Sequence, residues 1–200
     1  MSYDKDALPA LIGSRICHDL ISPIGAISNG LELLGMNSQT GMGPELELIH
    51  ESCAHANARI RFFRIAFGAS ATEQRIGRHE ATQILTDMAR SGRVQADWRV
   101  EGDLPRVDLQ MAFLALLCAE TALPLGGNVG FDHGPSGWKI TAQGPRINLE
   151  NGLWGLFAIG DTQVELTPSR VQFAILDTLS RSLGRRVAVT ETSDALILTI

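Results

Sequence analysis

Two hundred residues, 44% of them hydrophobic, suffice for one ordinary domain or two small ones, each with its own core. A formal net charge of -5 excludes a general nucleic-acid binder, which carries a basic excess. Three cysteines, Cys17, Cys53 and Cys118, show no paired spacing and fit a reducing compartment without disulfides. The start, Met1 to Asp6, is polar and unlike a signal peptide, and the longest apolar run, Met111 to Ala119, falls far short of the ~20 residues of a membrane helix. The expectation is a cytoplasmic protein that engages neither membrane nor nucleic acid.

From Leu8 the apolar residues recur at Ile12, Ile16, Leu20, Ile24, Ile27, Leu31 and Leu34, steps of four and three that keep one face of a helix apolar. Gly35 and the polar stretch 37–41 end that helix. Pro44 suits the first position of a second helix. There Leu46, Ile49, Cys53, Ala56, Ile60, Phe63 and Phe67 follow a heptad rhythm. Two such helices form an antiparallel hairpin, which alone leaves much of each seam in water. Pairing two hairpins into a four-helix bundle covers it, so a homodimer is expected; packing on the C-terminal half of the same chain is the alternative.

His18 lies on the first helix with Ser14, Ser22, Gly25 and Asn29 along its own stripe, while Ile16 and Leu20 point the other way. The imidazole therefore projects from the bundle past small neighbours, with room for a bulky partner. Pro23 removes a helical hydrogen bond one turn beyond it and should bend the helix there. Most lone helical histidines have no chemistry; the combination with Asp19, Ser22, Pro23 and the small stripe sets this one apart.

His18-Asp19-Leu20-Ile21-Ser22-Pro23-Ile24 resembles the H-box of sensor histidine kinases, and the longer string Arg15 to Leu34 resembles the ChpT-type histidine phosphotransferases. That resemblance implies a dimeric two-helix phosphoacceptor domain, His18 as the phosphoacceptor, and phosphate relayed from a hybrid histidine kinase to response-regulator receiver domains. Asp19 would orient the histidine or tune its basicity. Ser22 occupies the position linked to placing the phosphatase water, and Arg15, one turn before His18, would meet the phosphoryl oxygens.

Residues 73–200 read as α/β, with helices expected at 81–89, 108–123, 149–158 and from Thr167-Pro168 to Leu183. Strands are expected at 94–100, 128–132, 137–142, 186–192 and 195–200. Strands interleaved with helices after a hairpin suggest a sheet covered on one face, an α+β chain of two domains, 1–72 and 73–200. The order resembles the ATP-binding domain of histidine kinases, but its nucleotide boxes are empty. Ala115 and Ala119 stand where that family has magnesium-holding asparagines. Ala142-Gln143-Gly144-Pro145-Arg146 lacks the adenine-reading aspartate, and Arg170-Val171-Gln172-Phe173 replaces a glycine-rich phosphate cradle. No bound cofactor is expected, and the magnesium of phosphoryl transfer would come with the partner receiver.

Other candidates are weaker. His50, Cys53 and His55 match no zinc spacing, and Cys17 lacks an activating setting. Arg59, Arg61 and Arg64 form a basic cluster, either a solvated face or a contact for an acidic receiver. The expected function is histidine–aspartate phosphotransfer without autokinase activity. A non-catalytic dimeric adaptor and an ATP-using kinase fragment remain the rivals.

Overall fold

The computed structural model describes residues 7–36, 44–68, 74–90, 92–149, 151–159 and 166–200. Helix α1 (Leu8–Met36) runs through Pro23 without interruption, and α2 (Pro44–Ala66) returns against it with proline at its first position. The intervening turn expected at 37–41 lies outside the described residues. The apolar positions of α1 divide into two stripes rather than one seam. Ile16 packs against the core and Gly30 is buried, whereas Ile24 and Leu31, expected in the seam, are 53% and 57% exposed together with Ile21. Ala10, Ser14, Cys17, Ile21, Ile24, Ser28 and Leu31, all exposed, themselves follow a 4-3 rhythm, so α1 carries a second, open heptad face. On α2, Leu46 and Ile60 of the expected seam are exposed, and Leu48 joins them.

The C-terminal half of α2 belongs to the main core. Phe62, Phe63, Ile65 and Ala66 are buried there, and Phe62 stacks on Phe113 with ring centroids 4.6 Å apart. Phe113 lies on α4 (Arg106–Ala122), which is buried from Asp108 through Ala119. An all-round apolar helix of this kind is stable only as a central element. The two buried polar side chains near its start are satisfied: Gln110 Nε2 donates to the carbonyls of Ala66 and Gly68 at the end of α2, and Asp108 pairs with Arg185 at 2.6 Å.

Of the remaining helices, α6 (Val171–Ser182) packs on α4, α3 (Arg78–Ala89) on α2 and α5 (Asn151–Ile159) on α6. They accompany a five-stranded sheet of β2 (Val94–Trp98), β4 (Gly127–Gly134), β5 (Gly137–Gln143), β7 (Leu196–Thr199) and β6 (Ala188–Glu191), in that spatial order. Only β2 and β4 pair in parallel; the remaining neighbours are antiparallel. A separate two-residue ladder, β1 (Arg75–Ile76) with β3 (Leu104–Pro105), was not foreseen. Alternation places Val129 and Phe131, Trp138, Ile140 and Ala142, and Leu196 and Leu198 in the core, giving the α+β architecture with one buried sheet face. Gly126 and Gly127, at φ +81° and +155°, turn the chain from α4 into β4; a Cβ at Gly127 would collide with the Gln143 carbonyl.

Two local expectations are corrected. The β4–β5 connection is tighter than foreseen: His133 and Gly134 extend β4, and Gly134 pairs with Gly137. The last helix opens with a 3₁₀ turn, Pro168–Arg170, and Thr167, which as a threonine before a first-turn proline is expected to cap it, makes no cap to a backbone N–H. Its hydroxyl pairs with that of Ser169 at 2.9 Å instead.

Candidate functional site

The periodicity that buries Ile16 turns His18 outward, and its side chain is 84% exposed. Ser14, Ser22, Gly25 and Asn29 are exposed along the same stripe, so small residues flank the ring along the helix axis. His18 Nδ1 lies 3.1 Å from Asp19 Oδ1. A carboxylate only accepts, so this contact requires a proton on Nδ1, which leaves the lone pair of the neutral imidazole on Nε2. Pro23 has no N–H to offer the Asp19 carbonyl one turn back.

Asp19 itself is held from the opposite side. Arg15 Nε donates to its Oδ2 at 2.9 Å, and Arg59 of α2 stands 3.8 Å from the same oxygen. Its side chain is only 13% exposed, so these partners act with little screening from water. Arg15 reaches further: its Nη1 donates to the carbonyl of Ser169 at 2.7 Å, in the turn ahead of α6. Arg15, expected at the phosphoryl oxygens, is thus committed to Asp19 and to a backbone carbonyl 154 residues away. His18, Asp19 and Arg15 form a connected chain; Ser22 stands one turn further along the exposed stripe.

The cluster Arg59, Arg61 and Arg64 does not act as one patch. Arg59 turns to Asp19, Arg61 pairs with Asp87 of α3 at 3.1 Å, and Arg64 is exposed. Neither a wholly solvated face nor a single contact surface describes them.

Behind Asp19 a polar cavity of about 180 Å³ opens between the hairpin and the rest of the molecule. Arg15, Asp19, Arg59, Arg93 and Glu120 line it. Glu120 sits on α4, and loss of hydration raises its pKa above the usual carboxylate value. Arg15, Arg59 and Arg93 oppose that rise, and Asp19 adds to it. Arg15, Arg93 and Glu120 also border a neighbouring cavity of about 350 Å³ with Thr121, Asn148, Trp154 and Arg170. Arg59 and Glu120 were not foreseen as neighbours of the histidine.

Of the positions compared with nucleotide boxes, Ala115, Ala119 and Ala142 are fully buried in the core. Trp154 and Phe157 of α5 pack on Phe173 of α6, at centroid distances of 4.9 Å and 5.6 Å. Among the described residues no group of three His, Cys, Asp or Glu side chains is arranged to hold a metal ion. Burial pushes the Cys118 thiol well up, while Cys17 is exposed.

Residues 78–195 match the family model described as the histidine phosphotransferase C-terminal domain. The protein phosphotransferase ChpT of Brucella abortus (strain 2308) is 31% identical over 201 residues, covering 95% of this chain and 93% of that protein. A solved structure described as a bacterial phosphotransferase superposes with a TM-score of 0.81 at 28% identity, over 99% of this chain and 97% of the other.

Proposed function

The chain belongs to the histidine phosphotransferase family, and from that premise we propose that it relays a phosphoryl group between receiver-domain aspartates in a bacterial phosphorelay, with His18 as the carrier. Histidine phosphotransfer in two-component signalling follows from the family; the relay between receivers and the residue roles are this reading. The observation that carries it is the outward imidazole whose Nδ1 faces the carboxylate of a half-buried acid.

In that arrangement Nε2 attacks the phosphorus of a receiver's aspartyl phosphate in line. The P–O bond to the carboxyl breaks, its electron pair leaves with the aspartate, and a P–Nε2 bond forms. The ring then carries positive charge, which Asp19 stabilises across the Nδ1–H bond. The second step reverses the chemistry, with the aspartate of another receiver displacing Nε2. Such loose transition states depend on positioning and charge more than on covalent help. Ser22, exposed one turn along, offers a hydroxyl to the phosphoryl oxygens or to water. Arg15 serves by fixing Asp19.

The donor is then the receiver domain of a hybrid histidine kinase and the acceptors are response-regulator receivers. The open small-residue stripe supports a partner of that bulk. Magnesium comes with the receiver's own acidic pocket: Asp19 is already engaged by two arginines and is poorly placed to hold a metal. No ATP is used by this chain, a reading supported by the alanines at the three box positions and by their burial.

The open face of Ile21, Ile24 and Leu31, level with Ile60 and Leu46 across the antiparallel hairpin, supports a homodimer through residues 1–72, with 73–200 as the degenerate nucleotide-domain relative. Among the described residues no helix is long and apolar enough to cross a membrane. The cytoplasm is the compartment of the proposed partners. Phosphotransfer profiling tests the core claim: wild type should take label from a phosphorylated receiver and His18→Ala should take none. Label retained by His18→Ala defeats it.

A further inference from the structure

Resting on His18 as the carrier, we infer that Glu120 of α4 is a positioning residue for phosphotransfer, acting through Arg15 and Arg59 on the Asp19 carboxylate. The second half of the chain thereby helps to set the state of the histidine on the first.

The placement of charge carries this. Five charged side chains line one small cavity: Arg15 and Asp19 from α1, Arg59 from α2, Arg93 ahead of β2, and Glu120 from α4. Three are cationic and two anionic. Asp19 has two tasks there: Oδ2 accepts from Arg15 and lies near Arg59, while Oδ1 accepts from the histidine. Each cation that draws on Oδ2 withdraws charge from Oδ1 and weakens its hold on Nδ1–H. Glu120 shares the field of the same two arginines, and each of them, with Arg93, favours its charged form. In its charged form, which these arginines favour, Glu120 offsets the pull on Asp19 and keeps Oδ1 a strong acceptor. Without it three arginines would face a single carboxylate. The Nδ1–H tautomer, with its lone pair free on Nε2, would then be less favoured.

Glu120 answers the charge of Arg15, Arg59 and Arg93 from a position poor in water. Its neighbours Leu117, Cys118 and Ala119 are buried, and desolvation disfavours the charge it carries. An ionisable group kept at such a place, in a cleft beside a reactive histidine, is the pattern of a functional site.

The test is ¹⁵N NMR of the His18 ring in the full-length protein at neutral pH, the signal assigned by its loss in His18→Ala. The wild type should show mainly Nδ1–H. Glu120→Gln should lower the ratio of Nδ1–H to Nε2–H tautomer about threefold and slow phosphoryl uptake from a phosphorylated receiver in parallel. Glu120→Asp, which keeps the charge, should recover most of both. In an Asp19→Asn background Glu120→Gln should leave the tautomer ratio where it stands. An unchanged ratio in Glu120→Gln overturns the inference, as does an equal change when Asp19 is already Asn. Because the ring signal needs no phosphate, these outcomes are distinct from failure of His18→Ala to abolish labelling, which would defeat the carrier assignment instead.

Discussion

The rings of Phe62 on α2 and Phe113 on α4 lie parallel, 4.6 Å apart, and both are fully buried. The hairpin therefore ends inside the hydrophobic core of the second half of the chain. The orientation of the hairpin helices is fixed at that end by close packing.

Phe62→Ala should lower stability by about 3–5 kcal/mol, because it removes a stacked ring from a site with no solvent to fill it. Urea denaturation would show a lower midpoint. The loss should also increase hydrogen exchange in both α2 and α4. Exchange confined to α2 would mean that the two halves are less firmly joined than the stack implies.

Arg15→Lys keeps the charge but not the fork that serves Asp19 and the Ser169 carbonyl together. Stability should fall by about 1 kcal/mol. Transfer should slow more than that loss explains, because Asp19 becomes mobile. Transfer at the wild-type rate would show that Asp19 needs no such support.

Ile24→Asp combined with Leu31→Asp should convert a dimer to a monomer in sedimentation at micromolar concentration. Each change removes about 2 kcal/mol of apolar burial and adds a charge to the proposed interface. Neither residue touches the core of its own chain, so the monomer should keep its helicity. A wild type that is already monomeric at that concentration would reject the interface.

Glu120 carries a pH signature of its own. Burial raises its folded-state pKa above the ordinary value of 4.5, so folding favours the protonated acid. Its contribution is fully present below the unfolded value and is lost as pH rises through the folded one. At neutral pH Glu120→Gln should therefore be more stable than wild type, and the gap should close as pH falls below about 4.5, as thermal melts across that range would report. A variant gaining stability while losing transfer rate is the trade expected of a residue kept for function.

The helices and the outward histidine were legible because a 3.6-residue period states directly which side of α1 is buried. Even Asp19–Arg59 was within reach. An antiparallel pair of helices ending at 36 and starting at 44 sets positions summing to about 80 opposite each other, and 19 and 59 nearly do. What concealed it was the proximity of Arg61 and Arg64, which made Arg59 look like part of a surface cluster. The second, open stripe of α1 was hidden for a related reason: Ile24 and Leu31 fit a single seam in spacing, and only packing separates the faces. Glu120 was beyond reach. It reads as a polar residue near the end of an apolar helix, and the groups that give it meaning arrive from α1, α2 and the segment before β2.

The Arg15–Ser169 contact has a consequence for the making of the protein. The helix bearing His18 is synthesised well before the carbonyl that completes the setting of Arg15, which lies 154 residues downstream. A nascent chain can close its hairpin early, but its acid–histidine pair is not fully braced until the chain through Ser169 has been translated and packed. Chains truncated before Ser169, or folded only in their first half, would thus display the histidine without the full support of Arg15.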